Sequence, residues 1–234
     1  MAHDLTGVPH EHLPLALADI HASTGLGDVV EVRLPASCGA ALAADLLVGA
    51  GLERCRHSPR ATTPDRLVAR RVESLPDTIG PGMRMLVCGL NPSPAAAEAG
   101  VGFFRAGNRF WPAALAARLV TRDRDPFHAL TVHGIGMTDL VKRTTARADE
   151  LSVDEYQAGV ARLDRLCTWL QPAVVCLVGL AGWRAAADRR ALAGQQPATL
   201  GGRPVYVMPS TSGLNASSSL ADLTEHLEAA AALV

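Results

Sequence analysis

The chain has 234 residues, of which 48% are hydrophobic, and its mean hydropathy is +0.15. This composition predicts a well-supplied globular core and excludes an intrinsically disordered chain. No apolar run approaches the roughly 18 residues that a membrane span needs, and the first residues lack the basic start and apolar stretch of a signal peptide. We therefore expect a cytoplasmic protein with no membrane partner.

The five cysteines are an odd number and contain no Cys-x-x-Cys pair. They indicate neither a disulfide framework nor a metal centre. Charge is spread unevenly, since residues 1–80 hold 7 basic and 10 acidic side chains while residues 81–234 hold 15 and 13. The second part has a weakly basic balance, which argues against a tight non-specific grip on a phosphate backbone.

In chain order, the first 80 residues predict a small β-α-β fragment. The pattern gives a strand at 29–34, a helix at 40–50 and a strand at 66–72. A polar, proline-bearing stretch at 73–82 then gives way to the dense apolar run MRMLVCGL, which is typical of a buried parallel strand. We place a boundary there, between an N-terminal α/β extension of unknown role at 1–80 and a catalytic domain at 81–234.

The second part alternates strands and helices. The predicted elements after the apolar run are a helix at 108–119, a short element or loop at 135–141, an amphipathic helix at 153–170, a strand at 173–179, a helix at 181–193, a strand at 204–209 and a helix at 219–231. Such alternation favours a three-layer α/β/α fold with a mainly parallel central sheet. Ligands of such sheets bind beyond the carboxyl ends of the strands, so the loops that begin at Gly89, Gly179 and Pro209 are the candidate site.

Three ordered motifs lie at these positions. The first is GLNPSP at 89–94, followed by GVGFFRAGNRFWP at 100–112; the second is GMTDLVKRTT at 136–145; the third is MPSTSGLN at 208–215. Together they resemble the mismatch-specific uracil/thymine DNA glycosylases of the uracil-DNA glycosylase superfamily, whose corresponding segments are GINPG, GVTxLVxRPT and NPSGLSR. Ser93 stands where that family mostly has glycine.

The resemblance implies a monomeric, nucleoid-associated repair enzyme. It would act on double-stranded DNA that contains uracil or G·U and G·T mismatches, flip the base out and hydrolyse its glycosidic bond, without cofactor or metal. The residues that it implies are, for base binding, Gly89, Leu90, Phe103 and Ser210, and, for DNA contact or a wedge, Ser212, Gly213, Leu214, Asn215, Lys142 and Arg143.

The resemblance implies that Asn91 is a catalytic residue, and Asp139, at a variable position of the second motif, is the second catalytic candidate. Cleavage of an N-glycosidic bond needs a water placed beneath the anomeric carbon and donors for the departing base. Asn91 can orient that water through its carbonyl but is a poor base. Asp139 could supply the general base or stabilise the developing charge, or it could instead cap a helix or pair with Lys142 or Arg143 on the surface.

Two further residues carry open alternatives. Phe103 matches the family position whose ring stacks on the flipped pyrimidine, or it anchors its glycine-rich loop on the core. Leu214 would be a wedge that fills the space of the flipped base, or a residue folded back against the last helix near Leu220. Beside it, the resemblance implies that Gly213 and Asn215 present backbone groups to the guanine that is left unpaired. Asn108 is expected to cap a helix, with Arg109 and Trp111 packed behind the first loop.

Two other functions stay open on the sequence. One is a hydrolase of free nucleosides or nucleotides, against which the Leu214 loop argues. The other is a non-catalytic lesion-binding protein, which Ser93 and the modest charge would permit. No lysine is placed to form a Schiff base, so a monofunctional glycosylase without a strand-cleaving step is predicted.

Overall fold

The computed structural model describes residues 1–55 and 66–234, and the described chain forms two β-sheets flanked by helices. The strands are β1 (Ala2–Asp4), β2 (Val29–Arg33), β3 (Leu52–Arg54), β4 (Arg66–Arg71), β5 (Met85–Gly89), β6 (Ile135–Asp139), β7 (Val174–Val178), β8 (Gly194–Leu200) and β9 (Arg203–Met208). The helices are α1 (Leu13–Ser23), α2 (Ala40–Gly49), α3 (Pro94–Ala99), α4 (Phe110–Ala116), α5 (Pro126–His133), α6 (Val153–Leu170), α7 (Leu180–Ala186) and α8 (Leu220–Ala231). None of the described helices is long and apolar enough to cross a bilayer.

The first sheet has the strand order β1-β2-β4-β3. β1 runs parallel to β2, while β4 is antiparallel to both β2 and β3. Leucines of α1 and α2 pack with valines of β2 into a separate core, which includes Leu17, Val32 and Leu47. The predicted strands and helix are present here, and β1, α1 and β3 are additions that the sequence pattern did not predict.

The second sheet has the order β6-β5-β7-β9-β8, with the first four strands parallel and β8 antiparallel to β9. Alternate residues of β5 enter different cores: Leu86 packs with α6 and α7, whereas Val87 packs with α4 and α8. Helices therefore cover both faces, which confirms the predicted α/β/α arrangement. β8 is the one strand of this sheet that the sequence analysis had assigned no element.

Helix α6 occupies the predicted range, because Ser152 forms a capping box with Glu155 at its start. Helix α7 is shorter than predicted. It ends at Ala186 instead of residue 193, since Asp188 accepts a hydrogen bond from the backbone N–H of Arg190 (2.8 Å) and turns the chain towards β8.

Ion pairs join the two sheets. Asp45, on α2, accepts two hydrogen bonds of 2.7 Å from Arg165 on α6. Deeper in the contact, Asp77 is paired with both Arg162 and Lys142, and all three side chains are buried. Because an isolated buried charge is costly, this triad fixes the segment around residue 77 firmly against the second sheet.

Candidate active site

The carboxyl ends of β5 and β6 lie side by side, and the candidate residues follow from them. Gly89 and Asp139 are register partners in this parallel pair. Beyond them the backbone N–H of Leu140 donates to the carbonyl of Gly89 (2.9 Å) and that of Val141 to the carbonyl of Leu90 (2.9 Å). The two loops that carry the first and second motifs are therefore held together directly above the sheet.

The amide of Asn91 has a fixed orientation. Its Nδ2 donates to Thr145 Oγ1 (2.7 Å), to the carbonyl of Arg143 (3.1 Å) and to that of Pro92 (3.2 Å). Carbonyl oxygens can only accept, so the NH₂ group must point at them. The carbonyl oxygen of Asn91 accepts no hydrogen bond from any described residue, and it is left to bind another molecule.

Asn91 and Asp139 line the same cavity, which has a volume of about 130 Å³. Gly89, Leu90 and Phe103 also line it. The structure thus brings together five of the residues that the sequence singled out. Ser210 is not among the lining residues: its Oγ accepts a hydrogen bond from the backbone of Ser212 (3.3 Å) within the neighbouring loop.

Asp139 ends a strand and caps no helix. It is buried, and within residues 1–55 and 66–234 its carboxylate forms no ion pair or hydrogen bond, so the alternative of a surface pair with Lys142 or Arg143 is wrong.

Burial raises the pKa of Asp139 from 3.8 to about 6. The positive charge of Lys142 offsets part of that rise. A carboxylate with this pKa is ionised near neutral pH and can still take up a proton.

Phe103 anchors its loop on the core and also lines the cavity. Its ring stacks on Phe110 with the centroids 4.2 Å apart, and Phe110 belongs to the core. The ring also lines the cavity. Its φ of +58° is a left-handed conformation that bulky side chains rarely adopt. This strained geometry is retained at a position where one face of the ring is anchored and the residue forms a wall of the cavity.

Ser93 fits its position without strain. Its φ is −84°, so no glycine is required by the backbone, and its Oγ accepts a hydrogen bond from the backbone N–H of Ala96 (3.3 Å). It is the N-cap of α3, a position that favours serine. The departure from the family glycine therefore leaves the first loop intact.

The third-motif loop projects Leu214 into solvent. The leucine is 92% exposed, so it is not folded back against α8, and Leu220 is itself 42% exposed. Gly213 beside it is exposed, and a Cβ there would lie 2.9 Å from the carbonyl oxygen of Gly107. Ser212 and Asn215 are partly buried.

Asn215 is occupied within the loop. Its Nδ2 donates to the carbonyl of Ser210 (2.7 Å), its own backbone N–H donates to that of Ser212 (2.9 Å), and its carbonyl accepts from Arg109 (2.6 Å). The expectation that Asn215 presents backbone groups to DNA is therefore corrected, because those groups already have partners. Its role is to shape the loop.

Lys142 is corrected in the same way. Its side chain is 6% exposed and lies 2.8 Å from Asp77, so its ammonium cannot reach a phosphate. Arg143 is exposed, but its guanidinium is paired with Glu155 at 2.6 Å and donates to the carbonyl of Glu150 (2.8 Å). Only Arg143 of this pair is placed where DNA could contact it.

Three further residues matter that the sequence analysis did not assign to the site. Thr145 orients Asn91, and Arg109 holds the third-motif loop through the carbonyls of Ser212, Asn215 and Ser218. Leu75 lines the cavity from the segment before β5. Thr145 stood in the second motif, and Arg109 had been expected only to pack behind the first loop.

A metal centre has no support in the described ranges, where no group of three or more His, Cys, Asp and Glu side chains could hold an ion.

A comparison with protein families shows which family the chain belongs to. The family model described as the uracil DNA glycosylase superfamily matches residues 76–233, which is more than half of the sequence. The chain belongs to this superfamily, whose members are DNA glycosylases, and the match spans the whole second sheet and all three motifs.

Proposed function

We propose that this member of the uracil-DNA glycosylase superfamily removes uracil from double-stranded DNA, preferentially opposite guanine, and leaves an abasic site. Thymine and other damaged pyrimidines opposite guanine are the further substrates to be tested. The observation that carries the proposal is the cavity that Asn91, with its free carbonyl, and Asp139, with its buried carboxylate, both line.

The two side chains divide the chemistry. The Asn91 carbonyl holds a water, and the Asp139 carboxylate accepts its proton as the water oxygen bonds to C1′ of the sugar. The bond from C1′ to the base breaks, and its electron pair leaves with the base. Because Asn91 cannot remove a proton, the presence of Asp139 is what supports an enzyme faster than one relying on the amide alone.

A hydrolytic, monofunctional reaction is supported by the lysine content. Lys142 is the only lysine of the chain, and it is buried in an ion pair with Asp77. A Schiff-base nucleophile must be exposed to the sugar, whereas the Lys142 side chain is buried. The abasic product should therefore remain unbroken until it is heated in alkali.

Action on a duplex is supported by the exposed side chain of Leu214, because a free nucleoside offers no gap in a base stack for this side chain to fill. A flipped base leaves a gap that an apolar side chain can fill, and flipping is least costly at a mismatch. A preference for guanine is consistent with Gly213 beside it, because Gly213 is exposed and its backbone groups can contact the guanine that is left unpaired. The preference for mismatches is the part of the proposal that depends most on the third-motif resemblance.

The test is a duplex with one G·U pair, incubated with the protein and then heated in alkali. Strand breakage only after alkali, at the uracil, is expected for the native chain. Asn91→Ala and Asp139→Ala should each lower the single-turnover rate by roughly 100-fold or more. Thr131→Ala, an exposed change on α5, is the matched control.

Three outcomes would contradict the proposal. Binding of the G·U duplex with no cleavage would favour a lesion-binding protein. Release of uracil from uridine or its monophosphate at rates matching the duplex would favour a nucleoside hydrolase. Full activity of Asp139→Ala would remove the carboxylate from the mechanism.

A further inference from the structure

The N-terminal extension contributes a wall of the candidate active site. The superfamily match begins at residue 76, so Leu75 and everything before it lie outside that match. Leu75 is nevertheless buried and lines the cavity that contains Asn91 and Asp139. The cavity is therefore completed by a side chain that the matched family segment does not supply.

The segment that carries Leu75 is fixed by several hydrogen bonds. Ser74 Oγ donates to the carbonyl of Lys142 (2.7 Å), and the ammonium of Lys142 donates in return to the carbonyl of Leu75. On either side, Thr144 Oγ1 donates to the carbonyl of Glu73 (3.0 Å) and the backbone N–H of Asp77 donates to that of Gly49 (2.8 Å). These hydrogen bonds hold residues 73–77, here called the strap, in place, and the strap positions the Leu75 side chain in the wall of the cavity.

Leu75 also borders a second space. A second void of about 10 Å³ lies next to the main cavity of about 130 Å³, and Leu75, Gly102, Phe103 and Asp139 line both. A Cβ at Gly102 would lie 3.6 Å from Leu75 Cδ2, so the leucine packs directly against this loop. Shortening Leu75 would join the small void to the cavity and enlarge it.

From this geometry we propose that Leu75 is a specificity-determining residue, through which the extension limits the size of the base that the cavity accepts. The inference rests on the proposed glycosylase function. The Leu75 side chain sets a steric limit on the bound base. A small base fits in the cavity beside Leu75, whereas a larger base would clash with it, because the hydrogen bonds of the strap keep this residue in place. Excluding one methyl or methylene group in an apolar pocket typically changes kcat/KM by roughly 10- to 200-fold.

The experiment measures single-turnover kcat/KM on duplexes that carry uracil or 5-substituted uracils of increasing size, all opposite guanine. Each value for Leu75→Ala is divided by the native value for the same base, so that leaving-group differences cancel. We expect this ratio to rise by about tenfold or more from uracil to the largest base. Leu17→Ala, a fully buried change in the core of the extension, is the matched control and should give one ratio for every base.

Two results would overturn the inference. One is a Leu75→Ala ratio that does not change with base size; the other is a Leu17→Ala ratio that changes as much.

If the native chain cleaves no uracil, the proposed function fails by itself, and the role of Leu75 is then tested by measuring the binding of duplexes. Duplexes made uncleavable by a 2′-fluorine on the target sugar should compete for the native chain more weakly as the base becomes larger, and Leu75→Ala should remove that dependence on size. Equal competition by all bases for the native chain would reject the size limit.

Discussion

The carboxylate of Asp139 lies against the bare backbone of Gly89: a Cβ at residue 89 would be only 2.3 Å from Asp139 Oδ1. It would also lie 3.4 Å from Phe103 Cζ. Gly89 is thus the residue that makes room for the buried carboxylate beside the first motif.

Gly89→Ala should displace the Asp139 carboxylate and lower the glycosylase rate by at least about tenfold, because a misplacement of about 1 Å can cost a factor of roughly 100. Single-turnover cleavage of the G·U duplex measures it. Gly39→Ala is the matched control, since a Cβ there meets nothing within 4 Å. A Gly89→Ala enzyme with native rate would show that the position of Asp139 is unimportant.

Asp139 should give the reaction a pH dependence. Burial raises its pKa to about 6, and a base must be ionised to act. The rate should therefore rise with pH through about 6 and level off above it. Asp139→Asn should be slower by roughly 100-fold or more and should lack this inflection. A native pH profile that is flat between about 5 and 8 would contradict the role of base.

The same residue should make the protein less stable at neutral pH. Because burial raises its pKa from 3.8 to about 6, the folded chain binds this proton more tightly than the unfolded chain does. Stability is thus lost as pH rises through that interval, and by pH 7 the loss is of the order of 3 kcal/mol. Asp139→Asn should raise the free energy of unfolding near pH 7 and do so much less near pH 4, as measured by urea denaturation.

Much of this site could be predicted from local sequence. The apolar run before Asn91 and the turn after it set the end of β5, and the capping box at Ser152 set the start of α6. Such signals act over a few residues, which is why they can be interpreted without a fold.

Other features depend on residues far apart in the chain. Lys142 looked like a surface cation, yet it is neutralised by Asp77, 65 positions earlier. Arg109 reaches carbonyls more than 100 positions later. Leu75 belongs to none of the three motifs, and it lines the cavity because its segment is hydrogen-bonded to Lys142 and Thr144. Tertiary packing, and no local pattern, decides these three positions.

Thr145 should matter through Asn91. Its hydroxyl accepts the 2.7 Å hydrogen bond from Nδ2, so Thr145→Val removes the shortest of the three hydrogen bonds that orient the amide. We expect a loss of about tenfold in the single-turnover rate, corresponding to a hydrogen bond of about 1 to 1.5 kcal/mol, with unchanged affinity for the duplex. Thr131→Val, an exposed change on α5, is the control, and it should change the rate much less. Equal effects of the two variants would argue against orientation of Asn91 by Thr145.

Leu214 should affect duplex substrates selectively. It is 92% exposed, so Leu214→Ala should change the free energy of unfolding by no more than about 0.5 kcal/mol. Cleavage of uracil in a G·U duplex should fall about tenfold, while cleavage in a single strand should change little because no gap needs filling. Leu192→Ala, which alters another leucine that is 74% exposed, is the control. Equal losses on duplex and single strand would exclude a wedge.

Arg109 should act on the duplex through Leu214. Its guanidinium donates to the carbonyls of Ser212 (3.2 Å) and Asn215 (2.6 Å), on either side of the exposed leucine, and to that of Ser218. Arg109→Ala should leave the loop without this brace and lower duplex cleavage about tenfold, as Leu214→Ala does.

The double variant separates positioning from an independent contribution. If Arg109 only holds Leu214 in place, then Arg109→Ala should cost nothing further once Leu214 is alanine, and the two losses should not add. The measurement is the rate on the G·U duplex for both single variants and the double. Losses that multiply would mean that Arg109 contributes to catalysis or to DNA binding by a route that does not pass through the wedge.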